Sequence, residues 1–167
     1  MVGPRFRRRE MLAALAAGTL VPKTALAKDY IDLEWGDLVP PGQPAIPPVI
    51  MDLIQHDGPS LSSEQPPSQG VRTEWNGKIV RLPGFVVPIE YSGTGVTAFI
   101  LVPFVGACVH VPPPPANQLV FVTTPEPYEG SGLFEPVNVI GMFGTASMTT
   151  QLADIAYALS AEHIERF

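Results

Sequence analysis

The chain has 167 residues, a net charge of −6 at neutral pH and 46% apolar residues, with 20 prolines and one cysteine. That length suits one compact domain rather than two, and the apolar fraction excludes wholesale disorder. The negative charge argues against a nucleic-acid partner, the prolines argue against a helix bundle, and one cysteine excludes an intrachain disulfide or a multi-cysteine zinc site.

Residues 1–27 read as an export signal. Arg7-Arg8-Arg9-Glu10-Met11-Leu12 is a basic n-region, Ala13 to Val21 an apolar h-region, and Ala25-Leu26-Ala27 a small-x-small cleavage site. Arg8-Arg9 with Met11-Leu12 resembles a twin-arginine signal, with the general secretory route as the alternative. The apolar run is too short to span a bilayer, so no membrane insertion is expected. Cleavage after Ala27 predicts a periplasmic chain from Lys28 to Phe167. Residues 1–27 carry a net +4, so the remainder carries −10, with Lys28, Arg72, Lys78, Arg81 and Arg166 as its only basic residues. Such acidity favours solubility, a metal cation or a basic partner patch.

Residues 28–72 read as an extended lead-in and proline-rich loop, in which Tyr30, Leu33, Trp35 and Leu38 can anchor on a core. Pro48 to His56 has the signals of a short helix, with proline at its start and Gly58 beyond its end. Residues 73–167 read as the β domain. Asn76-Gly77 is a turn signal. Lys78 to Ile89 reads as one long curved strand with a bulge or bend at Pro83-Gly84. Ser92 to Gly95 is a turn, and Val96 to Val102 a strongly apolar strand. Residues 103–117 form a proline-dense connection, followed by a strand over Leu119 to Thr123 and a loop over Pro125 to Gly132. Val137 to Phe143 is a fourth strand. Gln151 to Leu159 carries apolar residues at helical spacing and reads as a short helix or the entry of a last strand, and Ala161 to Phe167 as a fifth strand. Together these predict a mainly β fold: a small five-stranded OB-like barrel with one or two short helices.

The chemistry-bearing segment is residues 103–118, PFVGACVHVPPPPANQ. Cys108 and His110 are two apart and share a face if the backbone is extended. A thiolate and an imidazole suit zinc, with copper as the alternative. Four prolines stiffen the segment, and Asn117 and Gln118 offer amides to orient a ligand or cap the loop. Further ligands would come from His56, His163 or a carboxylate such as Glu90, Glu126 or Glu129. The competing readings are a small buried cysteine, a core histidine, a rigid proline connection or partner ligand, and a thiol enzyme using Cys108 with His56 or His163 as base. No phosphate-binding glycine loop, G-x-S-x-G or H-E-x-x-H is present.

The string Gly106-Ala107-Cys108-Val109-His110-Val111-Pro112-Pro113-Pro114-Pro115-Ala116-Asn117-Gln118 resembles a bacterial family of exported proteins, the domain of unknown function 3299. The resemblance extends to Leu33-Glu34-Trp35-Gly36-Asp37-Leu38, to Arg81 through Pro88, and to Tyr157 through Phe167. It implies an envelope protein linked to ATP-driven permeases, in some members to zinc acquisition. It supplies no catalytic residues. The functional expectation is a non-enzymatic accessory of an envelope transport system binding a transition metal, zinc favoured, at Cys108 and His110. The alternatives are a metal-independent module docking an ABC-type permease and a thiol-dependent enzyme.

Overall fold

The computed structural model describes residues 29–44, 65–108, 112–130 and 132–167. The expected signal peptide and the helix expected over Pro48 to His56 lie outside the described residues. Six strands follow one another: β1 (Ile31–Asp32), β2 (Lys78–Ser92), β3 (Gly95–Val102), β4 (Val120–Tyr128), β5 (Pro136–Thr149) and β6 (Asp154–Arg166). Their order is β1-β2-β3-β4-β6-β5, and β5 pairs back onto β2. Strands β2 to β6 therefore close into a five-stranded barrel. Every barrel pairing is antiparallel except β4 with β6. Two 3-10 turns, Trp35–Leu38 and Ala116–Gln118, are the helical elements among the described residues. No helix there is long and apolar enough to cross a membrane.

Closure depends on β2 serving two neighbours. Its first half pairs with β5 from Lys78 to Phe85, and its second half pairs with β3 from Phe85 to Ser92. Of the bulge or bend expected at Pro83-Gly84, the bulge is absent, because the register runs unbroken there; the β2–β3 register shifts instead between Pro88 and Glu90 and again between Glu90 and Tyr91. Gly84 answers a packing demand instead. A Cβ on it would lie 2.7 Å from Leu101 Cγ and 2.9 Å from the Val102 carbonyl oxygen. The two-residue hairpin Gly93-Thr94, with Gly93 at φ 62°, joins β2 to β3.

Alternation along the strands separates two apolar clusters. Val80, Leu82 and Val86 of β2, Phe99 and Leu101 of β3, and Tyr157 and Leu159 of β6 fill the barrel. Val87, Ile100, Val102, Leu119 and Ile155 form a second cluster on the outer side of β2 and β3, under the connection that follows β3. Strand β3 is thus buried on both faces, which is why its sequence is a continuous apolar run. The segment Gln151 to Leu159 takes the strand alternative, because β6 begins at Asp154 and runs unbroken to Arg166. Strand β4 runs on to Tyr128 through part of the stretch expected as a loop.

Candidate functional site: the proline-rich connection and the barrel surface

Residues 103–108 turn back over the outer cluster. Ala107 is fully buried there and Cys108 packs against it half-buried. Gly106 sits at φ 93° and Cys108 at φ 65°. A left-handed backbone costs an ordinary residue about 1–2 kcal/mol, so the surrounding packing enforces it. The extended backbone that would align Cys108 with residue 110 therefore does not hold at Cys108. Burial pushes the Cys108 thiol up to about 12, which keeps it protonated at neutral pH. A nucleophilic cysteine requires a shift in the opposite direction.

His110 and His56 lie outside the described residues. His163 is exposed on β6, 3.8 Å from Glu165, and lines a groove with residues 124–129, among them Glu126 and Glu129. Glu90 lines a different groove beside the β5–β6 turn. Among the described residues no three His, Cys, Asp or Glu side chains gather as a metal-ligating group.

The amides after the prolines point inward. Asn117 and Gln118 are buried, at 2% and 0% exposure. Asn117 Nδ2 donates to the Gly70 carbonyl at 2.8 Å, and Gln118 Nε2 to the Trp35 carbonyl at 2.9 Å. Gln118 Oε1 is buried and accepts no hydrogen bond. The Trp35 indole in turn donates to the Pro83 carbonyl on β2 at 2.8 Å. Pro113, Pro114 and Pro115 are buried, and the Pro114 carbonyl accepts from Gln65 Nε2 at 2.8 Å. Gln65 also makes two 2.8 Å bonds with the backbone of Asp154 at the start of β6. Tyr157 completes the fastening. Its hydroxyl donates to the Leu38 carbonyl at 2.6 Å and accepts the Arg72 backbone N–H at 2.7 Å. The Pro-Asn-Gln segment thus fixes residues 29–44 and 65–75 across one end of the barrel. Asn117 and Gln118 stand out in the sequence; Gln65 does not, and Tyr157 stands out only as the start of the closing segment that resembles the family. Their partners are backbone carbonyls and N–H groups, which leave no trace in residue type.

A second fastening joins the C-terminus to β4. The Glu135 carboxylate is almost fully buried; it forms an ion pair with Arg166, 2.9 Å from Nε, and accepts from the Tyr128 hydroxyl at 3.0 Å. Arg166 Nε donates to the same hydroxyl at 3.1 Å, and Nη2 donates to the Glu129 carbonyl. Two surface depressions flank these fastenings. One, of about 850 Å³, is lined by Pro88, Ile89, Phe121, Met148 and Leu152, among others. The other, of about 470 Å³, lies between residues 124–129 and 161–164.

A closed barrel with strand order 2-3-4-6-5 and one parallel pair is the OB-like class, a scaffold that recurs in binding modules. Within that class the chain belongs to the family described as Protein of unknown function (DUF3299), whose model matches residues 35–166. Among solved structures it is similar to a DUF3299 family protein from Pseudomonas aeruginosa PAO1. The two are 34% identical over 83% of this chain and 96% of that one, with a TM-score of 0.68. No curated protein matches the chain.

Proposed function

We propose that the chain is a non-enzymatic binding module of the periplasm, an accessory of an envelope transport system that docks its partner without a metal. The observation that carries this is the character of the outer surface along β2, β3 and β4. In five-stranded barrels of this class the second and third strands present the ligand face. Here those strands are β3 and β4, and the outer cluster beneath their surface is aliphatic and aromatic rather than basic. Val105 and Leu133 stand 59% and 50% exposed on segments next to that cluster, and Leu152 stands out at the β5–β6 turn. Exposed apolar side chains gathered near a barrel face suit a protein partner. The test uses immobilised residues 28–167 to capture ABC-type permease subunits from envelope extract, with and without chelator. Capture that ignores chelator and is lost in Val105→Glu/Leu133→Glu supports the reading. Capture unaffected by that double substitution overturns it.

One observation favours metal binding as a second reading. Cys108, two residues before His110, is held in a left-handed conformation, and such outliers gather at functional sites. Zinc, or copper in its place, would have to displace the proton from a buried thiol. Metal content of residues 28–167, measured beside Cys108→Ala/His110→Ala, decides it. About one ion per chain, lost in the double variant, supports the metal reading, and no uptake after added zinc removes it.

A further inference from the structure

The barrel is closed between β4 and β6 over only four residue pairs, from Val120↔Tyr157 to Thr123↔Ser160. Beyond them the two strands part. Strand β4 continues with β3, meeting it again at Val96↔Tyr128, while β6 continues with β5 through Ala161, His163 and Ile164. The groove of about 470 Å³ occupies the gap. Its far end is shut by Arg166, which reaches from β6 to the Tyr128 hydroxyl and the Glu129 carbonyl of the β4 side. The result is a window in the barrel wall, framed by a strand ladder at one end and an ionic clasp at the other. At about 3.3 Å per residue, the stretch from Thr124 to Tyr128 is about 13 Å long, room for four or five residues of extended chain.

The two margins of the window differ. On the β4 margin, Pro125 and Pro127 lack backbone N–H groups, which blunts that edge. On the β6 margin, residues 161–165 have no strand partner on the window side among the described residues. Glu126, Glu129 and Glu162 stand exposed around the opening. Arg166 is held by Glu135 and Tyr128. Three carboxylates on one opening repel a second copy of this acidic chain and attract a cationic segment, so the same charges select the guest and exclude self-pairing.

We propose that this window is a docking site for an extended, lysine- or arginine-rich segment of another protein, which adds as a short strand to the open edge of β6. The inference rests on the reading of the chain as a binding module and assigns it a second contact surface, separate from the apolar face around Val105 and Leu133. Backbone hydrogen bonds to β6 would supply affinity, and alternate basic side chains would meet Glu126 and Glu162.

The test is fluorescence anisotropy of residues 28–167 with a labelled, capped hexapeptide of alternating lysine and valine. Two control peptides replace lysine by glutamate or every valine by proline. The expected result is saturable binding of the lysine-valine peptide, at least tenfold weaker for both controls and at least tenfold weaker to Glu126→Lys/Glu162→Lys. Glu90→Lys, in the separate groove beside the β5–β6 turn, should bind as the native chain does. Amide exchange of residues 162–164 should slow with bound peptide. Equal binding of the proline peptide would reduce the effect to diffuse electrostatics and overturn strand addition. Unchanged affinity in the window variant, or protection of those amides by self-association alone, would also overturn it. These peptides do not probe the Val105 and Leu133 face, so a negative result here and a negative capture experiment are separate failures.

Discussion

Gln118 and Trp35 lie 83 residues apart in sequence, and the side-chain amide of one donates to the backbone carbonyl of the other at 2.9 Å. That bond reassigns half of the proline-rich motif. The amides that could orient a ligand hold the lead-in segment against the barrel, and the buried prolines stiffen the span that presents them. Gln118→Ala should destabilise the chain by about 1–3 kcal/mol, because the Trp35 carbonyl loses its donor in a buried setting. Asn117→Ala should cost a similar or smaller amount. Urea unfolding of both variants checks this, and native-like midpoints would show that the motif is retained for another reason.

Tyr157 links three segments through one hydroxyl, and its ring packs on Phe143 with centroids 5.1 Å apart. Tyr157→Phe keeps the packing and removes both hydrogen bonds. The expected loss is about 1–2 kcal/mol, with hydrogen exchange accelerated at Arg72 and in residues 65–75 but not in β3. A uniform change across the barrel would contradict the fastening role.

Gly84 faces Leu101 too closely for a side chain. Gly84→Ala should destabilise by about 1–3 kcal/mol through overpacking, and Leu101→Ala in the same chain should recover part of that loss. Additive losses in the double variant would mean that the glycine is needed for backbone freedom instead of space.

The buried thiol gives a pH dependence with a defined sign. Cys108 has its folded-state pKa raised by burial from 9.0 to about 12. Folding therefore favours the protonated thiol. The associated stability is complete below pH 9 and is lost as pH rises toward 12. Cys108→Ala should flatten the fall in urea midpoint across that window. Alkylation of the native thiol at pH 7.5 should be at least tenfold slower than in urea. Rapid alkylation of the folded chain would instead bring the thiol-enzyme reading forward.

Arg166 is the outer half of a pair whose inner half, Glu135, is nearly fully buried. Arg166→Ala should cost about 1–3 kcal/mol at neutral pH, since it leaves a buried carboxylate with fewer donors. Glu135→Gln combined with Arg166→Ala should cost less than Arg166→Ala alone, as a double-mutant cycle in urea would show.

The strands were legible because their chemistry is local. Val96 to Val102 is a run of β-branched and aromatic residues, Asn76-Gly77 and Gly93-Thr94 are turns, and these signals need no distant partner. Burial on both faces left β3 legible, because its run is β-branched and aromatic, but it blurred the signal in the alanine-containing start of β6. In β6, Ile155, Ala156 and Tyr157 are buried in succession, Ile155 in the outer cluster and Ala156 and Tyr157 in the barrel interior, so apolar residues fall at consecutive positions and, with Leu159, imitate a helical spacing.

Alternation, turn residues and charge act over a few positions, so a small acidic β-barrel and its chemically unusual residues can be read along the chain. The roles of those residues emerge in the fold. It holds Cys108 in a left-handed turn against an apolar cluster. It turns the Asn117 and Gln118 amides onto the carbonyls of Gly70 and Trp35. It parts β4 from β6 after four pairs to leave the acidic window. Each of these depends on contacts between segments remote in sequence, and such contacts are set by chain closure and packing rather than by any neighbouring residue.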